Sequence, residues 1–194
     1  MSTKERILDA ALTLFAKNGY SGTSVEQIAE IVGIKAPSLY KHFKGKEDIL
    51  NTLIDSAEAR YEKFFGSSTN LEYIPENIEI FKKNAIERVR FTISDPLIRK
   101  IRIFLVQEQF RNERLAKITT HHQIDGLLQM YSKILEGMIC KGLIKNYDPA
   151  ILALELTAPA TVLISKADRQ PEYKNQVLEI LENHVRHFCD IYKK

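Results

Sequence analysis

Thr23 to Phe43 reads T-S-V-E-Q-I-A-E-I-V-G-I-K-A-P-S-L-Y-K-H-F, and its apolar spacing decides the fold. Thr23 with Glu26 has the form of a capping box, which predicts a short helix with Val25, Ile28, Ala29 and Val32 turned inward. Gly33 ends that helix and permits the positive φ that a tight turn requires. A second, very short helix is expected from about Ala36 to His42, burying Leu39 and Phe43. It exposes Lys35, Ser38, Tyr40, Lys41 and His42. Two helices joined in this way make a helix-turn-helix, with Ala29 small at the crossing and Ile28, Ile34 and Leu39 pinning the pair. The outward face is cationic and hydrogen-bonding, and of a size that a major groove admits.

Helical patterning continues on both sides of this unit. Upstream, Ser2 with Glu5 is a capping box. Ile7, Leu8, Ala11, Leu12, Phe15 and Ala16 then follow one face as far as the Asn18-Gly19 stop. Downstream, Gly45 precedes a long helix expected from about Lys46 to Phe65, and Gly66-Ser67-Ser68-Thr69-Asn70 has linker-like composition. Pro75, Pro96, Pro149 and Pro171 each sit where a helix could begin, with Asp95 and Asp148 as N-caps. Further helices are therefore expected near 75–93, 96–110, 113–142, 149–167 and 171–192. The reading is an all-α chain of about nine helices.

Composition sets the outer bounds. The chain has 194 residues, 27% charged and 44% hydrophobic, which is ordinary globular composition. No apolar run is read as approaching the roughly 20 residues that span a bilayer, and the N-terminus leads into a patterned helix rather than a secretory segment. Cys140 and Cys189 make no disulfide framework, so a reducing cytoplasm is expected. The net charge of +3 decides little, but its distribution says more. Lys35, Lys41, Lys44 and Lys46 fall within one acid-free stretch, while Glu47 to Glu58 holds acids and no base. Clustered cations suggest a polyanionic partner.

The residues from Phe15 through Gly19-Tyr20, Thr23-Ser24-Val25, Ile28-Ala29, Gly33-Ile34, Leu39-Tyr40-Lys41-His42-Phe43 and Lys46-Glu47-Asp48-Ile49-Leu50 resemble the N-terminal DNA-binding domain of TetR/AcrR-type transcriptional regulators. The detailed match covers about the first quarter of the chain. The resemblance implies a three-helix helix-turn-helix domain over residues 1–46, followed by a larger helical effector-binding and dimerisation domain over 47–194. It further implies that the segment from Ala36 to His42 lies in the major groove of an operator. Ser38 and Lys41 would then face base edges or nearby phosphates, and Pro37 would offer an apolar contact. Tyr40, His42 and Thr23 would hold phosphates, as would Lys46 with help from a helix N-terminus. Lys35 departs from the Ser or Thr common at its position, so it cannot cap the helix in the same way; its reach to phosphate is an alternative to a solvated surface role.

A homodimer is implied, with the last two long helices of each subunit forming a four-helix interface on a palindromic site. The segment from Pro149 to Ile164, apolar nearly all round, supports this independently, with a central core helix as the alternative. Leu152, Leu156, Val162 and Leu163 are the candidates there, and Val177, Leu181, Val185 and Phe188 on the final helix. Pro159 is expected to kink the first of these helices.

Family members also hold a small-molecule pocket, for which Tyr61, Phe64, Phe65, Phe81, Phe91, Phe104, Phe110, Met130, Tyr131 and Met138 are candidates, suiting an apolar or aromatic effector. Plain core is the competing reading for such residues. Arg88, Arg90, Arg99, Arg102 and Arg111 show no recognised anion-site spacing. His184 and His187 lack a third ligand, so no metal and no cofactor is expected. No phosphate-binding loop, nucleophile elbow or paired-carboxylate motif appears, which weighs against an enzyme. A nonspecific architectural DNA binder is the other rival, although it would need a broader positive surface.

Overall fold

The computed structural model describes residues 1–65 and 74–194, leaving aside the side chain of Phe65. The linker-like stretch 66–70 therefore lies outside the described residues. The helices are α1 (Thr3–Asn18), α2 (Val25–Val32), α3 (Ala36–Leu39), α4 (Lys46–Phe65), α5 (Ile78–Ser94), α6 (Pro96–Glu108), α7 (Glu113–Thr120), α8 (Gly126–Cys140), α9 (Pro149–Arg169) and α10 (Lys174–Tyr192). A π-helical turn, His121–Asp125, joins α7 to α8 without a break, so the described residues form nine continuous helices. The fold is all-α.

The capping chemistry explains most boundaries. Ser2 and Glu5 form the expected reciprocal box at the start of α1. Gly33 closes α2 in the left-handed region at φ 74°, and its amide reaches back to Ala29 and Glu30. Asp148 caps α9 by accepting from the Ala150 amide at 2.8 Å, with Pro149 in the first turn. Pro75 and Pro171 do not open α-helices themselves. Asn77 caps α5, accepting from Ile80 at 2.9 Å, and Pro171–Tyr173 is a 3₁₀ turn ahead of α10. The π turn was not foreseen. At Gly126 a Cβ would come within 2.9 Å of the His121 carbonyl, so glycine permits the i→i+5 bond there.

Packing divides the chain into two compact units. The first comprises residues 1–64 and 96–119, and is thus larger than residues 1–46. Its core contains Ile7, Leu12, Phe15, Ile28, Leu39, Phe43, Ile49, Leu53, Phe104 and Leu115. Phe104 stacks on Phe15 with ring centroids 5.5 Å apart. Glu108, nearly fully buried, lies against Gly19, where a Cβ would meet its Oε1 at 2.8 Å.

The second unit comprises residues 65–95 and 120–194. α8, α9 and α10 pack around Tyr131, Leu135, Met138, Leu152, Leu156, Val185 and Phe188, with Phe81 from α5. α9 is long and apolar enough to cross a membrane by length and composition alone, contrary to the expectation that no run approached that length. In this fold its Leu152, Ala153 and Leu156 belong to the unit's own core.

Candidate nucleic-acid interface

The helix-turn-helix forms as the apolar spacing requires, with a one-residue correction at its entrance. Ser24, not Thr23, caps α2. Its hydroxyl accepts from Gln27, whose side chain accepts from the Ser24 amide at 2.8 Å. The sequence contains two overlapping boxes, and Thr23 is removed from the outer surface because its hydroxyl donates to the Gly19 carbonyl at 2.9 Å. Thr23 is 2% exposed, so its side chain cannot meet a phosphate as expected. The amides at the start of α2, beside Ser24, are what this end of the helix offers to an anion.

α3 is a single turn, Ala36–Leu39, continued to His42 by hydrogen-bonded turns rather than by α-helix. Lys35 occupies the N-cap position and makes no side-chain cap. Leu39 and Phe43 are buried and fasten this short segment to the first unit's core. Lys35, Pro37, Tyr40, Lys41 and His42 are exposed, Ser38 is half-buried, and Ala36 packs against the core. Tyr40, at 52% exposure, is the large aromatic of this surface. The exposed side chains of this segment are thus Lys35, Pro37, Tyr40, Lys41 and His42. Lys4 contributes a further cation nearby, with its ammonium 5.5 Å from the Phe43 ring centroid.

Lys46 is held differently from the other lysines of the stretch. Its ammonium donates to the Tyr20 carbonyl at 2.6 Å and the Thr23 carbonyl at 2.7 Å, and lies 4.4 Å from the Tyr20 ring centroid. Desolvation pushes its pKa down. The side chain thereby ties the start of α4 to the loop between α1 and α2. Arg6 makes the companion tie, donating to the Val32 carbonyl at the end of α2. Sequence reasoning missed both, because a lysine or arginine bound to backbone carbonyls far along the chain has no local signature. Arg114 on α7 donates to Glu47 at 2.8 Å and also to Asn51, fastening the other side of α4.

A model of the tetR family of bacterial regulatory proteins matches residues 7–53. The chain is 30% identical over 152 residues to IcaR of Staphylococcus epidermidis, a negative transcriptional regulator of the biofilm operon icaADBC, covering 78% of this chain and 73% of that one. It belongs to the TetR family. IcaR of Staphylococcus aureus strain Newman is 26% identical over 145 residues, covering 75% and 69%. Among solved structures, the SmeT–triclosan complex has TM-score 0.78 at 19% identity, covering all of this chain and 93% of that one. A second structure of SmeT, the repressor of the Stenotrophomonas maltophilia multidrug efflux pump SmeDEF, matches at TM-score 0.71 and 20% identity, covering 100% and 92%. This TetR-family chain is thus a DNA-binding transcriptional regulator, not an enzyme.

The effector candidates of this TetR-family chain are distributed over both compact units. Phe104 lies in the core of the first unit, while Phe81, Tyr131 and Met138 lie in that of the second. Phe110 is 91% exposed and Phe64 is exposed, so neither lines an enclosed pocket. Tyr61, Phe91 and Met130 are half-buried, and the side chain of Phe65 lies outside the described residues.

The dimer candidates also need correction. Leu152, Leu156, Val177, Leu181, Val185 and Phe188 are buried within their own subunit. Leu163 is half-buried against the cluster of Ile93, Ala167, Val177 and Leu181. Only Val162, at 67% exposure, stands clear. The outward residues of α9 and α10 are instead Ile151, Leu154, Val162, Ile180 and Ile191. A groove of about 400 Å³ runs here, lined by residues that include Leu154, Ala158, Pro159, His184, His187 and Ile191. The reason is periodicity: a helix with apolar residues on two faces shows its stronger stripe to its own core.

Proposed function

We propose that this regulator is a ligand-responsive repressor that binds a palindromic operator as a homodimer in the cytoplasm. The observation that carries the reading is the exposure of Lys35, Pro37, Tyr40, Lys41 and His42, with Ser38 half-buried among them, on a segment fastened by buried Leu39 and Phe43. Residues 1–46 are the DNA-reading module and 47–194 the effector and dimerisation region. In the major groove, Ser38 and Lys41 face base edges and nearby phosphates and Pro37 meets a thymine methyl, while Tyr40 and His42 hold the backbone. Lys35 adds a phosphate contact. Lys46 supports these contacts by positioning, since two of its three N–H donors serve backbone carbonyls.

The exposed apolar residues on α9 and α10 support a second copy as partner, consistent with the two-fold symmetry of a palindrome. The effector is a small apolar or aromatic molecule; SmeT, which shares the fold, has been solved as a complex with triclosan. Such a molecule induces only if it binds the DNA-incompetent conformation more tightly, with a shift of α4 changing the separation of the two recognition segments.

The test is a gel shift on the DNA upstream of the protein's own reading frame, with nonspecific competitor and a salt series. A preference for one palindrome that persists as salt rises is expected. Uniform weak binding would instead mark an architectural DNA binder.

A further inference from the structure

Pro159 stands inside α9, which continues through it from Pro149 to Arg169. A proline has no amide hydrogen, so the carbonyl four residues earlier, that of Glu155, loses its helical partner. His184 on α10 fills this vacancy. Its Nε2 lies 3.1 Å from the Glu155 carbonyl oxygen and 3.2 Å from that of Leu156. Both oxygens can only accept, so Nε2 carries the proton and donates to the pair. A second bond from the same helix grips the same residue, because the Tyr192 hydroxyl donates to the Glu155 carboxylate at 2.5 Å. Pro159, His184, Glu155 and Tyr192 all line the groove between Leu154 and Ile191.

We infer that His184 is a positioning residue for dimerisation: its Nε2–H replaces the amide missing at Pro159 and thereby sets the shape of the α9–α10 face that a second copy covers. The inference rests on the dimer reading above. The physical demand is specific to that assembly. Water can serve the Glu155 carbonyl in a free subunit, whereas a partner's apolar surface cannot, and an acceptor left bare in a dry contact carries its full desolvation cost. His184 thus joins the two helices at the interior point where Pro159 leaves an α9 carbonyl without its helical amide.

A double-mutant cycle on the full chain tests this, with the dimer dissociation constant read by sedimentation. His184→Ala is expected to weaken the dimer about tenfold, the scale of one lost hydrogen bond with an acceptor left buried. His184→Gln, which keeps an N–H donor, should retain part of the affinity. Pro159→Ala restores the backbone amide, so in that background His184→Ala should change the constant by less than about twofold. Folding of the double variant where His184→Ala alone fails to fold would support the same coupling. Equal losses in both backgrounds, with a dimeric wild type, overturn the role of His184 and leave the dimer standing. A wild type that sediments as a monomer overturns both.

Discussion

Lys41 and Lys46 stand five residues apart in one basic stretch, yet their surroundings assign them different work. Lys41 is exposed beside Tyr40, whereas the Lys46 ammonium is bound to the Tyr20 and Thr23 carbonyls. Lys41→Ala is therefore expected to weaken operator binding and lower the salt slope of log K by about 0.9, as for one lost phosphate contact. Lys46→Met should leave that slope unchanged while costing about 1 kcal/mol of folding stability, measured by titrating with denaturant and salt in parallel. The cysteines divide in the same manner. Burial pushes the Cys189 thiol up to about 12, while Cys140 is exposed. In the native protein at neutral pH a maleimide should label one thiol, and Cys140→Ser should abolish the reaction. Two rapidly reacting thiols would contradict the burial of Cys189. Of these distinctions, the sequence shows only residue type. Thr23 illustrates the limit, since the sequence suggested a Thr23–Glu26 box, whereas in the fold the Thr23 hydroxyl bonds to Gly19 and Ser24 caps α2.

Among the helices, those whose ends carry their own chemistry were the most legible. The boundaries of α1 and α2 rest on side chains within four residues, so local reading located them to within a residue or two. The final helix was legible as a helix but not in its orientation. Its Val177, Leu181, Val185 and Phe188 stripe faces the subunit's own core, leaving Ile180 and Ile191 outside. The polar link between α5 and α10 was invisible, because Arg90 and Glu182 are 92 residues apart in the chain and 2.6 Å apart in space. The hydrogen bond from Arg90 holds the Glu182 carboxyl below its ordinary value. A carboxyl lowered on folding stabilises above its unfolded pKa and loses that contribution as pH falls through the folded value. Stability of the wild type should thus drop on acidification below about pH 4.5, and Glu182→Gln should flatten that part of the curve, as read from thermal midpoints. An identical acid limb in both proteins would deny the pair a role.

For the whole molecule, the exposed apolar residues of α9 and α10 carry the assembly prediction. Val162→Glu with Ile180→Glu should yield a folded monomer with lost operator affinity, because each adds a charge to a face that a second copy would bury. Leu152→Ala, at a fully buried position, should instead cost about 2–5 kcal/mol of stability. Sedimentation and thermal melts separate the two outcomes. An unchanged dimer after the double substitution would place the interface elsewhere. The all-α class and the exposure of Lys35, Tyr40, Lys41 and His42 followed from the sequence by itself. They depend on apolar spacing and capping residues within a few positions of one another, and such short-range patterns are written directly in the chain. The tertiary structure alone decided which aromatics are core, which stripe faces out, and what Lys46 and His184 hold. Those outcomes depend on groups brought together from distant positions, and helical periodicity constrains a residue's face without naming the surface it meets.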